Sequence, residues 1–182
     1  DFSLVELNTI PPRNYQPWYA GWDAGGSTPS GSISIHHPMG DVKKFALDED
    51  PALTATYPPD VVTYDTDAFW KIAEWETGTT EAGSSGAPLF DMNGKVIGNL
   101  TGGEAYCGRP LNDYFSRLSR NWDSYLSQEE QLKYWLDPGN TGLTSLEGMD
   151  PWEGEPLEAG FSWNAARICE GSAVFFSDLS SG

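Results

Sequence analysis

The fold is indicated by Pro88-Leu89-Phe90-Asp91-Met92-Asn93-Gly94-Lys95-Val96-Ile97-Gly98-Asn99-Leu100. Two short apolar runs flank Asn93-Gly94, and an Asn-Gly pair in this context is the strongest short-range hairpin signal. Both residue types adopt the positive φ angles that a two-residue hairpin turn requires. The stretch therefore predicts two antiparallel strands joined by a tight turn.

Short β-rich runs recur on the N-terminal side of this hairpin, separated by Gly, Pro, Asn and Asp. They include Ser32-Ile33-Ser34-Ile35 and Val61-Val62-Thr63-Tyr64. Many short strands with frequent turn residues are typical of an all-β antiparallel barrel or sandwich. Residues 114–122 fit either a strand or a helix by periodicity.

The C-terminal third carries a helix signal. Ser127-Gln128-Glu129-Glu130 has the pattern of a capping box, and Leu132, Trp135 and Leu136 follow at helical spacing before Asp137-Pro138. We expect a short helix here. Residues 140–157 are rich in Gly, Pro and acidic residues and are predicted to form a linker.

Composition limits the partners and cofactors. Ten basic and 27 acidic residues give a formal net charge of −17, which repels phosphate backbones and anionic lipids. No apolar run approaches the roughly 20 residues of a membrane span. Cys107 and Cys169 have no metal-ligand spacing, and no phosphate loop or dinucleotide motif is present. The sequence predicts no nucleic-acid partner, no membrane partner, no metal and no cofactor.

The run Glu81-Ala82-Gly83-Ser84-Ser85-Gly86-Ala87-Pro88 sets a serine between glycines directly before the hairpin. Acyl-transfer chemistry needs a hydroxyl on a tight turn and backbone N–H groups that face the developing oxyanion. Ser85 is the candidate nucleophile, with its own N–H and that of Gly83 as donors. The alternative is an ordinary Gly/Ser loop between strands.

Several other stretches bear on this choice. They are Asp1-Phe2-Ser3-Leu4-Val5-Glu6-Leu7, Ala20-Gly21-Trp22-Asp23, Ile35-His36-His37-Pro38-Met39-Gly40-Asp41-Val42-Lys43-Lys44 and Gly78-Thr79-Thr80-Glu81. In this order, and with the serine turn, they resemble the lysyl endopeptidase family of secreted bacterial serine proteases. The resemblance implies a chymotrypsin-like antiparallel Greek-key β-barrel, the second of two. It also implies an extracellular, monomeric endopeptidase that cleaves polypeptides after basic residues through an acyl-enzyme.

The resemblance makes Asp1 the triad aspartate and places the catalytic histidine upstream of this chain. His36 and His37 follow the aspartate, opposite to the His, Asp, Ser order of the fold. A structural, hydrogen-bonded role is predicted for them, and service as the base is the alternative. Ser84 stands where chymotrypsin-type enzymes have an aspartate that pairs with the new N-terminus, so activation by that ion pair is not expected.

Specificity elements are also implied. Leu100-Thr101-Gly102-Gly103 resembles the edge strand that pairs with substrate backbone, and Asn112-Asp113-Tyr114-Phe115 resembles the element whose aspartate lies at the pocket base. Asp113 is then expected to receive a lysine side chain; the alternative is a surface aspartate that caps the next element. Thr101 replaces a histidine of the family, which leaves the choice between lysine and arginine open.

The resemblance also sets the domain boundaries. Residues 1–12 are expected to be the last strand of a first barrel and the inter-barrel connector, and residues 13–122 the protease barrel. Residues 123–157 are the helix and linker, and residues 158–182 open a PKD-type immunoglobulin-like domain. The resemblance pairs Cys107 with an upstream cysteine, which leaves a free thiol in this chain alone. The alternative function is a non-catalytic pseudoprotease or an adhesin-type binding module.

Overall fold

The structure is a computed structural model, and it describes residues 2–58, 63–152, 161–163 and 176–178. The strands of these ranges are β1 (Gly21–Asp23), β2 (Ser32–His36), β3 (Lys44–Asp48), β4 (Leu53–Ala55), β5 (Phe69–Glu74), β6 (Pro88–Asp91), β7 (Lys95–Gly103), β8 (Leu111–Arg117), β9 (Ser145–Leu146), β10 (Phe161–Trp163) and β11 (Phe176–Asp178). The helices are α1 (Leu118–Asp123) and α2 (Lys133–Leu136), with 3-10 turns at Arg13–Tyr15, Pro38–Gly40 and Gln128–Glu130. None of the described helices is long and apolar enough to span a bilayer.

One antiparallel sheet forms most of the molecule, in the strand order β3-β2-β6-β7-β8-β5-β4. β1 pairs in parallel with the start of β7 and antiparallel with β9. The sheet curls, because Leu47 of β3 exchanges two backbone hydrogen bonds with Thr77, which follows β5 (2.8 and 3.2 Å). The all-β prediction is confirmed as a curled antiparallel half-barrel.

The interior of the curl is filled by large apolar side chains from β5, β6, β7 and β8. Trp70, Trp75, Ile72, Leu89 and Phe115 are all fully buried there. β2 departs from the usual pattern, since its inward positions are Ser32, Ser34 and His36 while its isoleucines are only half-buried. A polar strip therefore runs along β2 inside an otherwise apolar core.

The predicted hairpin is confirmed. β6 and β7 pair antiparallel across the Asn93-Gly94 turn, and Gly94 has a φ of +76°. Asp91 supports the turn, because its carboxylate accepts the N–H groups of Asn93 and Lys95 (3.0 and 2.8 Å). The hairpin stands directly after the serine turn and anchors it to the sheet.

Residues 114–122 are half strand and half helix, since β8 ends at Arg117 and α1 begins at Leu118. Periodicity allowed either structure, and the segment contains both. The chain forms a helix after Arg117 because side chains of α1 contact β1 and β8. Trp122 packs on Trp22 with ring centroids 5.0 Å apart, and Asn121 donates to the Ser116 hydroxyl (3.0 Å).

The capping-box prediction is wrong in its geometry. The Ser127 hydroxyl bonds the Glu129 carboxylate (2.9 Å) and caps no backbone N–H. The segment divides into the 3-10 turn Gln128–Glu130 and the single turn of α2, because Gln131 between them is extended.

The segment 140–157, predicted as a linker, contains β9. Trp22 and Asp23 of β1 pair with Leu146 and Ser145 of β9. Gly21 permits this close approach, because a Cβ atom there would lie 2.5 Å from the Leu146 carbonyl oxygen. A glycine-rich segment predicted as a linker thus contains a short strand that pairs with the sheet.

Three other predicted segments are described only in part. Residues 2–12 are irregular, and no described strand pairs with them. Residues 61 and 62 lie outside the described residues, and Thr63 and Tyr64 are irregular. In the tail, β10 and β11 form a separate antiparallel pair within residues 158–182.

Candidate functional site

The serine turn joins the segment after β5 to β6. Ser84 N–H donates to the Glu81 carbonyl (3.0 Å) and Ala87 N–H to the Ser84 carbonyl (3.0 Å), so two turns follow each other. Gly86 N–H donates to the Leu100 carbonyl of β7 (2.8 Å), and Leu100 N–H to the Ala87 carbonyl (2.8 Å). Ser85 is exposed between these anchored ends. The geometry presents its hydroxyl to solvent on a fixed support.

Two backbone donors of this turn are free. In the part of the chain that the structure describes, the N–H groups of Gly83 and Ser85 have no hydrogen-bond acceptor. Gly83 has a φ of +91°, and a Cβ atom there would lie 3.3 Å from the Met39 nitrogen. Glycine is therefore needed at 83 to hold this conformation, which leaves both N–H groups available for an anionic oxygen.

Ser84 points into the barrel and meets His36. The Ser84 side chain is 1% exposed, and its Oγ lies 2.8 Å from His36 Nδ1. The same Oγ accepts the Glu81 N–H (3.2 Å). The other ring nitrogen of His36, Nε2, is buried and has no partner in the described structure.

His36 is held neutral. It is 3% exposed, and burial lowers its pKa to about 4, with Lys44 and His37 adding to the effect. The predicted structural role of His36 is confirmed, since its hydrogen bond goes to Ser84 and not to Ser85. His37 is exposed, and its Nδ1 lies 3.1 Å from the Asp41 carbonyl oxygen. Neither histidine is bonded to the candidate nucleophile.

Asp113 of β8 is buried, at 1% exposed, which rules out the surface-cap alternative. Trp75 Nε1–H and the Thr80 hydroxyl both donate to its Oδ2 (2.7 and 2.5 Å), and the Ala105 N–H is a further donor. Burial raises the pKa of Asp113, while these hydrogen bonds act in the opposite direction. The carboxylate is thus oriented by neutral donors and has no cationic partner within the described residues.

The end of β7 lies directly over this carboxylate. Gly103 pairs with Asp113, and a Cβ atom at 103 would meet the Asp113 side chain and the Asn112 carbonyl. The register shifts between Leu100 and Gly102, so Thr101 lies at an irregularity of the strand. The structure therefore places Gly103 against Asp113, with Gly102 and Thr101 preceding it in β7.

Tyr57 is a neighbour of this group that sequence analysis missed. A Cβ atom at Gly102 would lie 3.0 Å from the Tyr57 hydroxyl. The Tyr57 ring packs on Tyr114 and Tyr64, each with centroids 5.1 Å apart. Its partners Gly102 and Tyr114 come from strands far along the chain, so the local sequence at Tyr57 gave no signal for these contacts.

Cys107 and Asp1 complete the predicted set. The Cys107 N–H donates to the Glu81 carboxylate (2.7 Å), which ties the loop after β7 to the serine turn. Cys107 is disulfide-bonded, so the prediction of a free thiol in this chain is wrong. The other cysteine of the chain, Cys169, lies outside the described residues, as does Asp1.

Comparison with known proteins agrees with this geometry. Residues 1–116 match the family described as "Lysyl endopeptidase, C-terminal domain". The chain is 38% identical over 130 residues to a lysyl endopeptidase of Pseudomonas aeruginosa, which covers 65% of this chain and 26% of that protein. The chain thus spans about a quarter of the length of this curated relative. The chain belongs to the lysyl endopeptidase C-terminal domain family.

Proposed function

We propose that this chain is the serine-bearing part of a secreted bacterial serine endopeptidase that cleaves polypeptides after basic residues, lysine foremost. The observation that carries the proposal is the serine turn, where an exposed Ser85 stands beside two backbone N–H groups without acceptors. Free N–H groups at a fixed turn are the donors that an oxyanion requires. Similarity to a lysyl endopeptidase supports the same reaction class.

In the proposed reaction, Ser85 Oγ attacks the substrate carbonyl carbon and its proton passes to a histidine. The carbonyl oxygen becomes an anion and accepts hydrogen bonds from the N–H groups of Gly83 and Ser85. The amine leaves with the proton from the histidine, and water then hydrolyses the acyl-enzyme. Because His36 and His37 bond other groups, the base belongs to a first barrel outside these 182 residues, with Asp1 holding its imidazole.

The Ser84–His36 pair supports the donors of this turn. The buried Ser84–His36 hydrogen bond joins two neutral groups. It holds residue 84 in place between the N–H donors of Gly83 and Ser85. An aspartate at this position needs a cation such as a new N-terminus, whereas a serine needs only an imidazole acceptor. In this proposal the turn takes its active form on folding, without an activating ion pair.

Lysine specificity is assigned to Asp113. A buried carboxylate with only neutral donors favours a cation, and a substrate ammonium supplies that charge. Gly102 and Gly103 leave the strand edge open to substrate backbone, Thr101 precedes them in β7, and the Tyr57 hydroxyl lies near Gly102. The short Thr101 side chain in place of the family's histidine leaves room for arginine as a weaker substrate.

The finer features of the fold are part of the same proposal. The curled sheet is the second Greek-key barrel of a chymotrypsin-like protease, and the β10–β11 pair is the beginning of a PKD-type domain. The disulfide at Cys107 supports an oxidising, extracellular location. The protein acts as a monomer on polypeptides.

A fluorophosphonate probe tests the proposal, since it labels only an activated serine. We compare the 182-residue chain with the protein that also carries the first barrel, each beside its Ser85→Ala variant. Ser85 should be labelled rapidly in the longer protein and slowly in the shorter one, because loss of a triad member leaves only about 10³ to 10⁴ of catalysis over water. Ser84→Ala keeps the nucleophile and should still be labelled.

Each contrary result has a distinct meaning. No labelling of the longer protein at Ser85 would contradict the protease assignment and favour the pseudoprotease alternative. Equal labelling of the two proteins would show that His36 or His37 is the base, against the contacts described here. Labelling that survives Ser85→Ala would assign the reaction to another residue.

A further inference from the structure

Three carboxylates meet at the curled edge of the sheet, apart from the residues assigned to peptide cleavage. Asp48 ends β3, Asp50 follows two residues later, and Glu76 lies just after β5. One carboxylate oxygen of each lies within 4.8 Å of the others. The set contains only oxygen ligands.

Backbone pairing creates this cluster. The antiparallel bridge between Leu47 and Thr77 makes Asp48 and Glu76 the next opposed pair, with side chains on one face. The chain after β3 then folds back, since Asp50 N–H donates to Asp48 Oδ1 (3.0 Å) and Glu49 N–H to Glu76 Oε2 (2.9 Å). The carboxylates are therefore held together by the main chain.

The carboxylates of this cluster form no ion pair with a Lys or Arg within the described residues. Asp48 is 3% exposed. Burial, together with Glu76 and Asp50, raises the pKa of Asp48 to about 6. Buried carboxylates in proteins are normally paired with a cation or bound to a metal.

Ser32 provides an independent observation. It is directly opposite Asp48 in the β2–β3 register, so its side chain shares the face of Asp48 and flanks it on the side away from Glu76. Ser32 is 0% exposed, and its hydroxyl has no hydrogen-bond partner in the structure. A fully buried hydroxyl without a partner is rare, and here it lies in one cross-strand row with Asp48 and Glu76.

We propose that Asp48, Asp50 and Glu76 form a calcium site, with the buried Ser32 side chain next to Asp48 on the same face of the sheet. Calcium takes six to eight oxygen ligands in flexible geometry and accepts water for the remainder, which the exposed side of Asp50 allows. The absence of His and Cys from the cluster disfavours zinc and copper. The sequence analysis predicted no metal because it considered cysteine spacing, whereas these oxygens meet only through strand pairing.

A bound calcium joins the end of β3 to the segment that leads into Thr80 and Glu81. It therefore stabilises the curl of the sheet where the specificity carboxylate and the serine turn are supported. This role is independent of peptide cleavage. It can be tested on the protein without any activity assay.

The experiment measures thermal unfolding of the metal-free protein with added CaCl2, with MgCl2 and with NaCl of equal ionic strength, and calcium affinity by calorimetry. At a calcium concentration about 100-fold above Kd, Tm should rise by roughly 5–10 °C. Asp48→Asn and Glu76→Gln should abolish the rise, and Asp50→Asn, at an exposed position, should weaken calcium binding about tenfold or more. Asp65→Asn, an acidic residue outside the cluster, is the matched control and should keep the rise.

Asp48→Asn also gives a readout in the absence of metal. Because it removes one of three mutually repelling charges, its metal-free Tm should equal or exceed that of the unmodified protein. The proposal is overturned if calcium at about 10 mM, above the weakest extracellular sites, produces neither heat nor a Tm shift. It is equally overturned if NaCl gives the same shift, or if the shift persists in Asp48→Asn and Glu76→Gln.

Discussion

Asp113 and Asp48 are two buried carboxylates of one sheet with opposite surroundings. Both are almost fully buried, and burial is the largest cause of the raised pKa of each. Asp113 accepts hydrogen bonds from Trp75, Thr80 and Ala105, whereas Asp48 faces two further carboxylates and the Asp50 N–H. In the two proposals, neutral donors orient Asp113 for a substrate cation that binds transiently, and the acidic neighbours of Asp48 hold a calcium ion throughout.

The comparison teaches that burial alone does not assign a role to a carboxylate. Burial costs both carboxylates hydration, and the neighbouring groups decide what compensates that cost. Donors that orient a carboxylate are compatible with an exchangeable substrate cation. Like charges around a carboxylate are compatible with a bound metal.

The largest effect is expected from Asp113→Asn in the protein with both barrels. Removing one partner of a buried charge pair costs about 2–5 kcal/mol, so kcat/KM for a lysine substrate should fall roughly 30-fold to several thousand-fold. Cleavage-site profiling with a peptide library measures it, with Asp65→Asn as control. An unchanged preference for basic residues would remove Asp113 from the pocket.

A pH-dependent prediction concerns His36, a buried group that remains neutral. Its pKa is about 4 in the folded protein and 6.5 in the unfolded chain, so the unfolded state binds more protons between these values. The contribution of His36 to the free energy of unfolding should therefore be fully present above pH 6.5 and should be lost as the pH falls towards 4. The loss should be about 3 kcal/mol at most.

Urea unfolding at several pH values, compared with His36→Gln, isolates this contribution. The raised pKa of Asp48 acts in the opposite direction in the same window, and it is common to both proteins. The loss of stability on acidification should be smaller in His36→Gln. Parallel stability curves for the two proteins would show that His36 titrates normally.

A smaller effect is expected from Thr80→Val, which keeps the shape of the side chain and removes a donor to Asp113. The variant should lose about 1–3 kcal/mol of unfolding free energy, since a buried carboxylate oxygen loses a hydrogen bond. Thr79→Val is the matched control, because the Thr79 hydroxyl bonds a neighbouring carbonyl and not Asp113. Equal losses of unfolding free energy in the two variants would show that the Thr80–Asp113 hydrogen bond stabilises the fold no more than the Thr79 bond does.

The smallest expected effect is an increase in the free energy of unfolding, whereas Asp113→Asn loses activity and Thr80→Val loses stability. In metal-free protein, Asp48→Asn should increase the unfolding free energy by on the order of 1 kcal/mol, because it relieves repulsion from Glu76 and Asp50. Urea unfolding in the presence of a chelator measures it. Destabilisation would mean that Asp48 is satisfied without a cation, and the contrast with Asp113 would fail.

Local signals were predicted well. The Asn93-Gly94 turn and the Gly-flanked Ser85 depend on backbone preferences of a few neighbouring residues, and both hold in the structure. Signals that depended on distant partners were predicted poorly. Residues 118–123 became a helix and residues 145–146 a strand because Trp22 and Gly21 provide surfaces for them.

The sequence by itself determined the antiparallel hairpin, the serine turn and the identity of the polar groups around it. These follow from turn chemistry and from glycine's freedom at positive φ, which act over a few residues. Only the tertiary structure decided that His36 bonds Ser84, that Trp75 and Thr80 orient Asp113, and that Ser32, Asp48 and Glu76 share one face. The physical reason is that strand register joins residues far apart in the chain, and the sequence of one strand does not specify which partner lies opposite.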